Sequence, residues 1–316
     1  MLVGANDFSN LKVHEELSDR SVDNVAFPRE LVTRAMRARE KATEGIQPPW
    51  SKLSGNFALR PGELVLAGGP SGHGKSAMIN QWALHAAATG HRTGIISLEL
   101  PAEFCFDQLA GFSATNDKPP ESYLREFAEW MDDKLYLYDK VDVMQPHECL
   151  QAAIGMRKFF GCELIVIDCL FMVSLADDLE AERSFSQSLA AIAKSFGVCI
   201  VLIHHFRKGQ GRDGEEKLGT KNDFIGSSHL VNVASSVIII FEHKKLTAQR
   251  REGEDPDPAA PDVLISIAKQ RYHRYEGVTG YYLHKKVRLL CNSMTRQYRP
   301  IEIRQQMREK ANEQAV

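Results

Sequence analysis

The segment Gly69-Pro70-Ser71-Gly72-His73-Gly74-Lys75-Ser76 fits the phosphate-binding pattern G-x-x-x-x-G-K-[ST] over its full length. The apolar run Glu63-Leu64-Val65-Leu66-Ala67-Gly68 precedes it and reads as a strand, and Ala77 to Leu84 follows as a helix. In that setting the loop amides turn inward around phosphate oxygens, and the helix N-terminus adds its partial positive charge. Lys75 then reaches the β- and γ-phosphates and the Ser76 hydroxyl holds Mg²⁺, so the motif predicts a nucleoside triphosphatase that uses ATP or another NTP. A glycine-rich turn that binds nothing is the alternative, and the correct flanks argue against it.

With 316 residues, 43% of them hydrophobic and 25% charged, the chain can bury one sizeable core with terminal extensions. No apolar run approaches the roughly 20 residues of a membrane span, and the first residues lack the layout of a secretion signal. A soluble, cytoplasmic protein with no membrane partner is expected. The six cysteines are scattered without a C-x-x-C pair, which favours buried free thiols over a disulfide frame or a zinc site. A net charge of −2 gives no global basic field, so any contact with nucleic acid must be local.

Residues 28–41 read as a helix after a polar start. Beyond the phosphate loop, strand patterns at 93–99, 135–138, 163–168, 198–204, 236–242 and 263–268 alternate with helical patterns near 101–113, 121–131, 146–160 and 179–196. This predicts an α/β fold with a mostly parallel twisted sheet flanked by helices. Two polar stretches, 207–223 and 244–261, read as long functional or mobile loops.

The strand Glu163-Leu164-Ile165-Val166-Ile167-Asp168 ends in a carboxylate that would emerge beside the phosphate loop and hold Mg²⁺ through water. Glu99 ends a second strand and could orient, or take a proton from, the water that attacks the γ-phosphorus. His204-His205 closes a third, where a polar side chain can sense the γ-phosphate.

These residues, together with Gly226-Ser227-Ser228 and Ala268-Lys269-Gln270-Arg271, come in the order found in the DnaB-like replicative helicases, which carry a RecA-like P-loop motor. The chain looks most like the helicase half of the phage primase-helicases, over roughly residues 46–291. The resemblance implies that Glu99 is the catalytic carboxylate, Asp168 the metal-linked acid and His205 the phosphate sensor. It further implies that Lys269 and Arg271 enter the ATP site of a neighbouring subunit in a hexameric ring, and that Tyr281 stacks on the nucleotide base.

The glycine-rich loop after His205 offers Arg207, Lys208, Arg212, Lys217 and Lys221 to the phosphates of single-stranded DNA, diluted by Asp213, Glu215 and Glu216. Ile225 and Val231 depart from the family, standing where relatives carry Arg. The expected organisation is an N-terminal extension with a linker helix (1–45), a RecA-like helicase/ATPase domain (46–292) and a polar C-terminal tail (293–316), with a separate primase or polymerase as a further partner. The expected activity is ATP-driven translocation on single-stranded DNA with duplex unwinding. A recombinase or regulatory ATPase of RecA/RadA type, or a scaffold without turnover, are the alternatives.

Overall fold

The computed structural model describes residues 31–33, 35–36, 45–140, 142–175, 178–207, 217–226, 228–292, 303, 305–307 and 309. The first strand, β1 (Leu64–Gly69), is buried on both faces. It feeds α1 (Lys75–Ala88), whose residues are buried almost all round, as befits a helix enclosed by the rest of the domain. There follow β2 (Thr93–Ser97), α2 (Ala102–Ala114), α3 (Glu121–Met131), β3 (Leu135–Leu137), α4 (Pro146–Phe160), β4 (Leu164–Asp168), α5 (Leu179–Phe196) and β5 (Cys199–His205). The chain continues through α6 (Ser228–Val233), β6 (Ser236–Glu242), α7 (Lys244–Arg251), β7 (Val263–Gln270), β8 (Gly277–Leu283) and β9 (Leu290–Cys291).

Among the described residues these strands form one sheet in the order β3-β2-β4-β5-β1-β6-β7-β8-β9. The six strands from β3 to β6 run parallel, and β7, β8 and β9 extend them antiparallel. The continuous apolar runs of β4 and β5 lie in the middle, as strands covered on both faces must. The expected parallel α/β architecture is therefore present, and its strand and helix positions follow the sequence pattern closely.

Two buried clusters, one on each face, hold the sheet. Trp50 and Phe57 each meet Trp82 edge-on with centroids 5.7 Å apart, and Trp50 also packs on Tyr281 at 5.6 Å. Aromatic pairs at such separations add about 0.5–1.5 kcal/mol each beyond the area they bury.

Three features differ from the sequence reading. The stretch 244–261 is a helix and a tethered turn rather than an open loop. Thr247 ties α7 back to Glu242, and Arg250 in its last turn donates to Asp255 and the buried Asp262. The strands β8 and β9 escape the alternation because antiparallel strands need no intervening helix. The described residues of the supposed polar tail are helical, with Ile303 and Met307 buried in the core and Gln306 bonded to Trp130 Nε1 and the Ala88 carbonyl. Four-residue spacing of two apolar side chains explains that docking.

Candidate nucleotide site

Parallel register brings the chemistry to one edge of the sheet. Gly69 lies opposite His205, and Ser97 opposite Asp168. Glu99 stands two residues past the end of β2. All therefore collect at the carboxyl ends of the strands, where ligands bind in sheets of this kind.

The loop between β1 and α1 needs its glycines. A side chain on Gly69 would place Cβ 2.1 Å from the Ile240 carbonyl oxygen, and Gly74 adopts φ 78° as the residue before the helix. Three further groups fix or cover the loop. His73 Nδ1 accepts from the Glu242 amide, Lys244 Nζ donates to the Ser71 carbonyl at 3.3 Å, and Arg288 pairs with Glu242 beside Gly74. Lys244 and Arg288 went unrecognised in the sequence because they are distant in the chain and belong to no motif. Lys75 lies across the loop and donates to the Pro70 carbonyl at 2.9 Å. Its burial lowers the ammonium pKa, against the attraction of Asp168.

Asp168 is 5% exposed. Burial pushes its carboxyl up to about 6, although the Ser76 hydroxyl is hydrogen-bonded to it. Its Oδ1 atom has no hydrogen-bond partner. A buried, unsatisfied carboxylate oxygen next to a serine hydroxyl suits a hard divalent cation such as Mg²⁺, and Ser76 and Asp168 are the residues that would hold it.

Beside this pair, Glu99 Oε1 accepts from Cys169 Sγ at 2.8 Å and from His205 Nε2 at 3.3 Å. The His205 bond is the chief reason the Glu99 carboxyl falls to about 2, with the Cys169 bond adding to it against the opposing effect of burial. The two adjacent histidines are separated by the strand pleat. His205 faces Glu99, whereas His204 is buried, donates to the Ile225 carbonyl and stacks on Phe224. Burial drops its pKa to about 4, which keeps it neutral.

Other expected site residues lie elsewhere. Tyr281, expected to stack on the nucleotide base, is 0% exposed and packs against Trp50 in the core. Lys269 lies in β7, where it pairs with Val237 at the start of β6, and Arg271 stands one residue past the end of the strand. In this chain they cap α6. Lys269 Nζ donates to the carbonyls of Val231 and Ala234 at 2.7 Å, and Arg271 Nη2 to that of Asn232 at 2.8 Å. Arg207 and Lys221 line a cleft of about 300 Å³ with Asn222, Val231 and Asn232, and Lys217 is exposed. Lys208 and Arg212 lie outside the described residues.

Known proteins resemble this chain in sequence and in fold. A "DNA helicase/primase" of Enterobacteria phage T3 is 27% identical over 245 residues, covering 71% of this chain and 41% of that protein. The chain thus spans less than half the length of this relative. Two solved structures share the fold. One, described as an ATPase domain, has a TM-score of 0.69 at 15% identity and covers 85% of this chain and all of that one. The other, of a DnaB-like replicative helicase and its interactions with primase, has a TM-score of 0.68 at 16% identity, over 88% of this chain and 73% of that one. The motif resemblance is borne out at the level of fold by these two structures. No helix among the described residues is long and apolar enough to cross a membrane. The sequence model of the AAA domain family matches residues 28–211, more than half of the chain, and the chain, with its phosphate loop at the carboxyl edge of a parallel sheet, belongs to that family.

Proposed function

We propose that this domain hydrolyses ATP in the cytoplasm of a bacterial cell or phage-infected host. As one subunit of a hexameric ring it uses that energy to move along single-stranded DNA and unwind duplex. The observation that carries the reading is the meeting at one sheet edge of the phosphate loop, the buried Asp168 and a Glu99 carboxylate gripped by His205.

Lys75 and the loop amides bind the phosphates. Ser76 and Asp168 would hold Mg²⁺, whose chemistry there would be charge neutralisation on the phosphates. Glu99 orients the attacking water. While His205 donates to it, Glu99 is a weak base. A His205 that turns to the γ-phosphate releases the carboxylate and raises its basicity, so the presence of ATP is coupled to its hydrolysis. With Tyr281 in the core, the base falls to a cleft of about 860 Å³ beside the loop, lined by Arg251, His284 and Arg288 among others.

In the ring reading Lys269 and Arg271, which bond to backbone carbonyls around α6 in this chain, would turn to a neighbour's phosphates. That reading is supported by the exposure of Leu31, Val32 and Met36 on the N-terminal helical segment. Six copies of Arg207, Lys208, Arg212, Lys217 and Lys221 around one pore would bind DNA through many modest contacts. The DnaB-like neighbour described with primase supports a primase as a further partner, with a polymerase the alternative.

Phosphate release with and without single-stranded DNA, followed by displacement of one strand from a forked duplex, tests the activity. Strand pairing without displacement would favour a recombinase. Mixing Arg271→Ala with Lys75→Ala protein tests the shared site, since interfaces with one intact loop and one intact cation should regain part of the ATPase. Co-assembly without any regain rules out the trans assignment.

A further inference from the structure

The strands β2, β4 and β5 are neighbours, and each delivers one metal-ligating side chain to the same edge: Glu99, Cys169 and His205. Their donor atoms form a triangle with sides of 2.8 Å (Oε1–Sγ), 3.3 Å (Oε1–Nε2) and 3.5 Å (Sγ–Nε2). A tetrahedral zinc with ordinary bond lengths separates oxygen from nitrogen by about 3.3 Å and sulfur from nitrogen by about 3.5 Å. Two sides of the triangle already match. The third is short because a thiol hydrogen bond occupies it, and loss of that proton lets it open to about 3.5 Å. The sequence gives no hint of the trio, since the three residues sit in separate motifs with no ligand spacing.

We propose that Glu99, Cys169 and His205 form a binding site for a thiophilic divalent cation, zinc above all, that inhibits the ATPase reversibly by taking Glu99 and His205 out of use. The inhibitory part rests on the catalytic reading of Glu99, whereas the site itself does not. As the metal binds, the Cys169 thiol gives its proton to solvent, and thiolate and carboxylate together balance the 2+ charge. The imidazole moves its proton to Nδ1 so that Nε2 can coordinate. One sulfur, one nitrogen and one oxygen donor favour zinc over the hard Mg²⁺ of the adjacent Ser76–Asp168 pair. The Glu99 side chain is 42% exposed, which leaves a fourth position open to solvent. His205 Nδ1 has no hydrogen-bond partner, so the outer support of structural zinc centres is missing and the metal must exchange readily.

Cobalt(II) titration of the full chain, free of nucleotide and magnesium, tests the site directly. One equivalent should give thiolate-to-cobalt charge-transfer absorption with intense tetrahedral visible bands, and zinc should bleach both. Cys169→Ser should abolish the charge-transfer band, and His205→Ala should weaken cobalt binding at least about tenfold. A band that survives Cys169→Ser, or no band with the wild type, overturns the site. With free zinc buffered and Mg-ATP fixed, the half-inhibitory zinc concentration should rise at least about tenfold in Cys169→Ser, measured against that variant's own zinc-free rate. A cobalt band without zinc inhibition overturns the inhibitory role. A wild type with no ATPase at all instead defeats the functional reading, and the cobalt spectrum still decides the site.

Discussion

Asp168→Asn should make the nucleotide-free protein more stable while it abolishes turnover. Burial raises the Asp168 carboxyl from its ordinary 3.8 to about 6. That shift of roughly two units is about 3 kcal/mol of penalty on the charged form near neutral pH. Asparagine keeps the shape and drops the charge. That pKa already includes the attraction of Lys75 and the Ser76 bond, so the gain is at most about 3 kcal/mol, or about 5–10 °C in Tm. The sign follows from linkage. The folded-state pKa lies above the unfolded one, so the folded protein binds the proton more tightly between about pH 4 and 6, and wild-type stability from this group falls as pH rises through that window. The advantage of the variant should therefore be full above about pH 7 and vanish below about pH 4. Calorimetry without Mg²⁺ or ATP across that range measures it. The same variant should lose the extra stability that Mg-ATP gives the wild type. An Asp168→Asn protein less stable than wild type at pH 7.5 would refute the argument, because it would mean that the carboxylate is a net stabilising partner of Lys75 and not a strained metal ligand.

Other substitutions probe the remaining groups. Lys75→Ala should remove hydrolysis and most nucleotide affinity, measured by phosphate release and a fluorescent nucleotide, and near-normal turnover would undo the assignment of the loop. Glu99→Gln should bind ATP yet hydrolyse it about 10²–10⁴-fold more slowly; a loss of binding instead would make Glu99 a structural residue. Tyr281→Phe should leave nucleotide affinity unchanged, whereas Tyr281→Ala should cost about 3–5 kcal/mol in denaturant unfolding, as expected of a large core ring. A marked loss of affinity in Tyr281→Phe would return that ring to the nucleotide.

The features readable from the residues alone are those whose information is local. A phosphate loop is eight consecutive residues between a strand and a helix, and its backbone geometry follows from where its glycines stand. Buried parallel strands announce themselves as short apolar runs, and the helices between them by their period. Asp168 and Glu99 were legible for the same reason, each a lone charge at the end of an apolar run. Features that depend on register and on pairing across the sheet emerge when the chain is folded. Tyr281 turned inward because β8 pairs with β7 in one register and not the next, a choice that the chain near Tyr281 does not encode. His205 was separated from His204 by the pleat once β5 lay between β4 and β1. Lys269 and Arg271 acquired carbonyl partners on α6 because an antiparallel β7 returned them to the start of β6. Lys244 and Arg288 came to the phosphate loop, and Cys169 to Glu99 and His205, through contacts between residues tens of positions apart, which no spacing rule along one chain can express.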